Sequence, residues 1–348
     1  MPCDQIMKII IDDKIPYIKD AATQLFDEVV FLPGAAMTPA DVKEADALIV
    51  RTRTQCNEAL LKGSKVQFIA TATIGFDHFD TTWLDKQKIH WVNCPGCNAA
   101  SVAQYIRNSL IVLHKNNILD LASANIGIVG FGHVGSAVAK ALGEFGCKLW
   151  LCDPPREEQE HLSNFHTLQT LAEQCDVITF HTPLTSSGRY ATRYMADERF
   201  FQSLTQKPVI INAARGGVIK EAALLAALET GHVRAAVIDT WENEPRISEK
   251  LLDKAVIATP HIAGYSADGK ATATRMALEA VCRHFGIAHK FKIVPPKLPS
   301  DMQPSGDAFA RHLQLYNPRN DSDALKADVS AFEHLRGHYP LRRELWDQ

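Results

Sequence analysis

Residues 125–153 constrain this chain more than any other stretch. The apolar run NIGIV at 125–129 leads into Gly130-Phe-Gly132-His133-Val134-Gly135, a helical pattern follows, and a second apolar run at 148–152 ends on Asp153. Strand, glycine turn, helix, strand and terminal acid in that order describe a βαβ unit that binds a dinucleotide. Gly130 permits the tight turn, Gly132 lets the backbone approach a pyrophosphate, and Gly135 allows the helix to lie close to its strand. His133 and Val134 open that helix, whose N-terminal amides attract an anion. Asp153 stands 18 residues beyond Gly135 and can accept both hydroxyls of a ribose. Its charge repels a 2′-phosphate, so NAD is expected in preference to NADP.

The remaining apolar runs extend this unit into two domains. Those at 7–11, 29–31, 47–50, 68–70 and 91–92 are short and continuous, as strands buried on both faces must be, and they predict a small parallel α/β domain. A helical pattern from 98 to 114 leads into the second domain, whose later strands fall at 177–180, 209–212, 235–239 and 256–258 with helical stretches such as 221–229 between them. A further helical pattern over 266–285 returns the chain to the first domain. The fold class is therefore α/β, with two Rossmann- or flavodoxin-like doubly wound parallel sheets and a cleft between them. The expected division is 1–100 with 266–289 for substrate, 101–265 for NAD, and 290–348 as linker and C-terminal extension. Pro295, Pro296, Pro299 and Pro304 mark the linker.

Three charged residues lie just beyond apolar runs, where α/β sheets present catalytic groups. Arg215 follows 208–214, Glu244 follows the run that ends at Asp239, and His261 follows 256–260. They supply a cation, a carboxylate and an imidazole. Singly, Arg215 reads equally as a surface ion pair, Glu244 as a turn acid before Pro245, and His261 as a loop histidine. Together, beside a full cofactor turn, they suit oxidation of a 2-hydroxy acid, which needs a base working near neutral pH and a fixed cation for the carboxylate.

At these residues the chain resembles the D-2-hydroxyacid dehydrogenases. The intervals of 29 residues from Arg215 to Glu244 and 17 from Glu244 to His261, with the run HIAGYS at 261–266, are most similar to the branch that oxidises 4-phospho-D-erythronate in vitamin B6 biosynthesis. The resemblance implies His261 as base, Glu244 as its hydrogen-bonding partner and Arg215 as the substrate carboxylate anchor. It also implies that Asp239, Thr182 and Gly264 contact the cofactor, and that Arg51, Thr52, Thr73 and Tyr265 contact a small phosphorylated 2-hydroxy acid. Arg53 is a second candidate cation for the phosphate. Phosphoglycerate and hydroxypyruvate or glyoxylate reductases are alternatives on the same fold, and an NADH-sensing corepressor-like module is an alternative of another class.

A net charge of -3 and a pI near 6.5 give no reason to expect nucleic acid or an anionic membrane as partner. No run of about 18 apolar residues occurs, so a cytoplasmic protein is expected. The eight cysteines are scattered, which fits reduced core thiols. Cys94 and Cys97 have the spacing of a redox or metal pair but lack a second pair, so no metal is expected. The final 40 or so residues are amphipathic and too few to bury Leu313, Leu315, Leu325, Phe332, Leu335, Leu341 and Trp346 alone. A homodimer, implied also by the resemblance, is the expected way to cover them.

Overall fold

A computed structural model describes residues 7–161 and 164–346; Cys3 lies outside the described residues. The chain forms two compact units, residues 1–98 with 267–297 and residues 99–266 with 298–348.

In the first unit the apolar runs become β1 (Lys8–Asp12), β2 (Glu28–Leu32), β3 (Ala47–Val50), β4 (Phe68–Thr71) and β5 (His90–Val92), all parallel, in the order β2-β1-β3-β4-β5. Every residue of β3 and β4 is buried, which explains why these runs show no polar alternation. Helix Ala267–Phe285 covers one face, where Ala273, Ala277, Leu278, Val281 and Cys282 pack with Ile9, Ile49, Phe68 and Ala70. The Cys94 sulfur lies 3.3 Å from the carbonyl oxygens of both Thr71 and Ala273. Burial pushes its thiol up to about 12, so it acts as core packing.

The second unit contains β6 (Asn125–Val129), β7 (Lys148–Cys152), β8 (Val177–Phe180), β9 (Val209–Asn212), β10 (Ala235–Ile238) and β11 (Ile257–Ala258). They form one parallel sheet in the order β11-β10-β9-β8-β6-β7. Strand order reverses at β6, flanked by β7 on one side and β8 on the other, and ligands of such sheets bind at that reversal beyond the strand ends. Helix Ala99–Lys115 packs Val102, Ile106, Leu110 and Leu113 against Ile126, Ile128 and Val209.

The C-terminal extension differs from expectation. Leu325 and Phe332 are buried within the second unit's own core, Leu313 and Leu335 pack against that core, and Leu315 is buried too. Helix Pro318–Ala327 covers β11: Ser322 Oγ accepts from the Ala258 amide at 3.0 Å, and Lys326 Nζ donates to the Ala255 carbonyl at 2.5 Å. The premise that these residues need a second subunit is thereby corrected. The extension is a further layer on the parallel sheet and shields an edge strand that would otherwise expose unpaired backbone. Leu341 and Leu345 remain exposed, and Trp346 is partly so. No helix among the described residues is long and apolar enough to cross a membrane.

Candidate active site

The turn after β6 is shaped by steric need. Gly130 has φ 88°, and a Cβ there would lie 2.7 Å from the His181 carbonyl oxygen, so only glycine fits between β6 and the end of β8. A Cβ on Gly135 would collide with the Gly130 carbonyl. At Gly132 an added Cβ meets no protein atom within 4 Å, and helix His133–Leu142 begins there with no side-chain cap. Open space before uncapped amides fits a pyrophosphate. Asp153 Oδ2 accepts from the Phe131 amide at 2.7 Å and Oδ1 from Arg156 at 3.1 Å, which aims the carboxylate at the turn. The Arg156 side chain is tied to the Phe131 carbonyl at 2.6 Å and to Glu160 at 2.5 Å, which occupies this cation beside Asp153. Thr182 lies two residues beyond β8, its hydroxyl 3.9 Å from the Met195 sulfur. Its neighbour His181 is neutral, since burial pushes its pKa down to about 3.

Beyond β10 and β11 two loops meet. His261 Nδ1 lies 2.8 Å from Glu244 Oε2 and 3.0 Å from Oε1. The Trp241 amide donates to Glu244 Oε1 at 2.9 Å, and the Trp241 indole, 3% exposed, donates to the Thr259 carbonyl at 2.9 Å. One buried tryptophan therefore pins both loops. Burial pulls the Glu244 carboxyl upward, but the hydrogen bond and charge of His261 outweigh it and hold Glu244 below its ordinary value.

Asp239 first serves the loop that carries His261. Its Oδ1 accepts from Thr259 Oγ1 and the Ile262 amide, both at 2.7 Å, and its Oδ2 from the Ala263 amide at 2.9 Å. Three bonds to one loop fix the backbone that places His261 at φ 56°, a left-handed conformation a free loop would not hold. Gly264 and Tyr265 follow on this loop and are partly exposed.

Arg215 is exposed on the turn after β9, its Nη1 donating to the Ala214 carbonyl at 2.7 Å. Asn212 shapes this turn, accepting from the Ala214 amide at 3.1 Å and donating to the Arg215 carbonyl at 3.0 Å. Gly216 presses against the Trp241 carbonyl so closely that a Cβ there would overlap it. The Arg215 turn and the Glu244 loop are thus locked together by backbone packing.

In the first unit, Arg51 follows β3 and donates from Nη1 to the Lys14 carbonyl at 3.1 Å, while Thr52 and Arg53 are exposed. Thr73 follows β4, its hydroxyl 2.6 Å from that of Thr71 and 2.9 Å from the Gly75 carbonyl.

Comparison with known proteins agrees with this geometry. Residues 98–263 match the family described as D-isomer specific 2-hydroxyacid dehydrogenase, NAD binding domain. An erythronate-4-phosphate dehydrogenase from Bacteroides fragilis is 53% identical over 97% of both chains. Another from Proteus mirabilis is 41% identical over 97% of this chain and 93% of its own. The chain belongs to the erythronate-4-phosphate dehydrogenase family, within the D-2-hydroxyacid dehydrogenases. The fold is also that of D-2-hydroxyisocaproate dehydrogenase, at a TM-score of 0.68 with 21% identity over 81% of this chain and 98% of the other. D-lactate dehydrogenase from Aquifex aeolicus, solved with NAD and lactic acid, superposes with a TM-score of 0.61 at 22% identity over 80% of this chain and 96% of the other.

Several residues that hold this dehydrogenase site gave no sequence signal. Arg342, from the extension, is 4% exposed and donates to Gln104 Oε1 at 2.8 Å, the Ser101 carbonyl at 2.5 Å and the Ile262 carbonyl at 3.2 Å, with its guanidinium 3.7 Å from the Tyr316 ring centre. Glu221 and Glu242 cap each other: the Glu221 amide donates to Glu242 Oε1 at 2.9 Å and the Glu242 amide to Glu221 Oε1 at 2.6 Å. Burial, reinforced by the charges of Glu242 and Glu244, pushes the Glu221 carboxyl up to about 7. Folded Glu221 therefore keeps its proton up to about pH 7, whereas an ordinary glutamate loses it near 4.5. Stability accordingly falls as pH rises between those values, by on the order of 2 kcal/mol after allowance for partial exposure. Glu221→Gln keeps the acceptor and removes the charge, so denaturation midpoints of the variant should exceed wild type at pH 8 and match it near pH 5. An equal difference at both pH values would contradict the raised carboxyl.

Proposed function

We propose that this chain oxidises 4-phospho-D-erythronate to 3-hydroxy-2-oxo-4-phosphonooxybutanoate with NAD, in pyridoxal phosphate biosynthesis. The observation that carries the reading is the Glu244–His261 hydrogen bond beyond β10 and β11, in the same unit as a complete dinucleotide turn. Similarity to the erythronate-4-phosphate dehydrogenases over nearly the whole chain supports the substrate.

When bound, NAD supplies the hydride acceptor. Ionised Glu244 can only accept, so the hydrogen in its bond to the imidazole belongs on His261 Nδ1, and Nε2 keeps its lone pair. Nε2 takes the C2 hydroxyl proton during oxidation and returns it during reduction. Glu244 stabilises the imidazolium formed in between. Arg215 binds the substrate carboxylate and polarises the reacting oxygen. Gly130, Gly132, His133, Val134 and Gly135 hold the pyrophosphate and Asp153 the ribose. Thr182, Asp239 and Gly264 contact the nicotinamide half, with Asp239 Oδ2 accepting from the Ala263 amide and retaining a lone pair to accept again. Arg51, Thr52, Thr73 and Tyr265 take the rest of the substrate, with the phosphate on Arg51.

Spectrophotometric turnover of 4-phosphoerythronate with NAD tests the reading, and faster turnover of three-carbon acids would defeat the substrate assignment. A charge-assisted contact to phosphate contributes roughly 1.5–3 kcal/mol, or about 10- to 150-fold. Arg51→Ala should lower kcat/KM for 4-phosphoerythronate by that factor and leave unphosphorylated erythronate little changed. Equal losses on both substrates would remove Arg51 from phosphate binding.

The seven cysteines among the described residues are thiols, which supports a reducing, cytoplasmic setting; a disulfide in the native protein would argue against it. Exposed Leu341 and Leu345 support a homodimer as the assembly, and sedimentation as a monomer would overturn it.

A further inference from the structure

We propose that Arg336, carried by the C-terminal extension, is a positioning residue of the active site, where its guanidinium stands against Tyr265 and Glu244 and sets the charge balance of the Glu244–His261 pair. The inference rests on the dehydrogenase reading above and adds to it a residue outside the strand ends.

Packing places Arg336. Helix Phe332–Gly337 is anchored by Phe332, 1% exposed, in the same buried cluster as Trp241, whose amide donates to Glu244. The Arg336 guanidinium lies 5.8 Å from the Phe332 ring centre, and its Nη1 is 3.1 Å from Glu333 Oε1. It also hydrogen-bonds the Tyr265 side chain and lies within Coulombic reach of Glu244. Arg336 Nε is buried without a hydrogen-bond partner, an arrangement that is unfavourable in itself and that a purely solvated surface arginine would not adopt. Two further contacts bring the extension onto the same loop: the Tyr339 ring meets Tyr265 edge-on at 5.7 Å, and Arg342 donates to the Ile262 carbonyl at 3.2 Å.

The charges explain what such a residue does. Around the His261–Glu244 pair stand Asp239 and Glu221 as well as Arg336. Around Arg336 stand Tyr265, Glu244 and Glu333. Negative charge on Glu244 and Asp239 favours a protonated imidazole, which cannot act as a base for oxidation. The Arg336 cation near Glu244 favours the ionised carboxylate and opposes a second positive charge on His261.

The test is the pH profile of kcat/KM for 4-phosphoerythronate oxidation by the full-length chain. Arg336→Gln should move the acid limb to higher pH and lower kcat/KM at pH 7 by roughly 3- to 10-fold. Arg336→Lys, which keeps the charge, should restore most of the limb position. Glu333→Gln removes the carboxylate that partly neutralises Arg336, on an exposed position where folding is not at stake, and should move the limb the opposite way. Opposite shifts in the two neutral variants support the proposal. Losses spread evenly over pH with an unmoved limb would overturn it, and should Arg336→Gln fail to fold, an unmoved limb in Glu333→Gln alone overturns it. A wild-type chain with no turnover of 4-phosphoerythronate would instead defeat the functional reading itself.

Discussion

Replacing His261 with asparagine is expected to reduce oxidation of 4-phosphoerythronate by roughly 10²–10⁴-fold, the contribution of a positioned general base. Asparagine suits the test because it tolerates the left-handed backbone at φ 56° better than most residues, so the loop should keep its course. NADH binding, followed by fluorescence, should be nearly unchanged, since the dinucleotide turn after β6 shares no hydrogen bond with His261. Turnover within a few-fold of wild type would remove His261 from the mechanism. Glu244→Gln should be milder and should move the acid limb of kcat/KM to lower pH, because a neutral amide no longer favours imidazolium. A profile superposable on wild type would mean that the 2.8 Å contact plays no part in proton transfer.

Phe332→Ala should be the most destabilising single change in the extension. The side chain is 1% exposed and shares a cluster with Leu325 and Trp241, and truncating a buried phenylalanine costs about 3–5 kcal/mol. Urea denaturation should show that loss, and activity should fall with it because Trp241 ties the Glu244 loop to the Thr259 carbonyl. Deletion from Pro299 onward should be more severe, since it uncovers β11 and removes Arg342 from the Ile262 carbonyl. A loss under about 1 kcal/mol for Phe332→Ala would show that the extension merely rests on the unit.

The strands were legible because parallel sheets leave continuous apolar runs, and the glycine turn because only glycine satisfies its geometry at 130 and 135. Arg215, Glu244 and His261 could be read for a related reason: in such sheets functional groups collect just beyond strand ends, and strand ends are visible where apolar runs stop. The place of the extension was not legible, because its apolar residues join a core whose other members lie far away in sequence. The bonds from Asp239 to residues 259, 262 and 263 give it a structural duty that spacing does not reveal.

What the sequence determined by itself is therefore local or periodic: strand positions, the NAD-type turn with its terminal Asp153, and the three charged candidates beyond strand ends. Only the tertiary structure decided how those groups are held. Trp241 bonding Thr259, Gly216 meeting the Trp241 carbonyl, Glu221 exchanging caps with Glu242, and Arg342 reaching Ile262 are contacts between segments 18 to 80 residues apart. Such contacts leave no mark on local periodicity, because the polar atom that satisfies a buried group can come from any segment that the packing brings within about 3 Å.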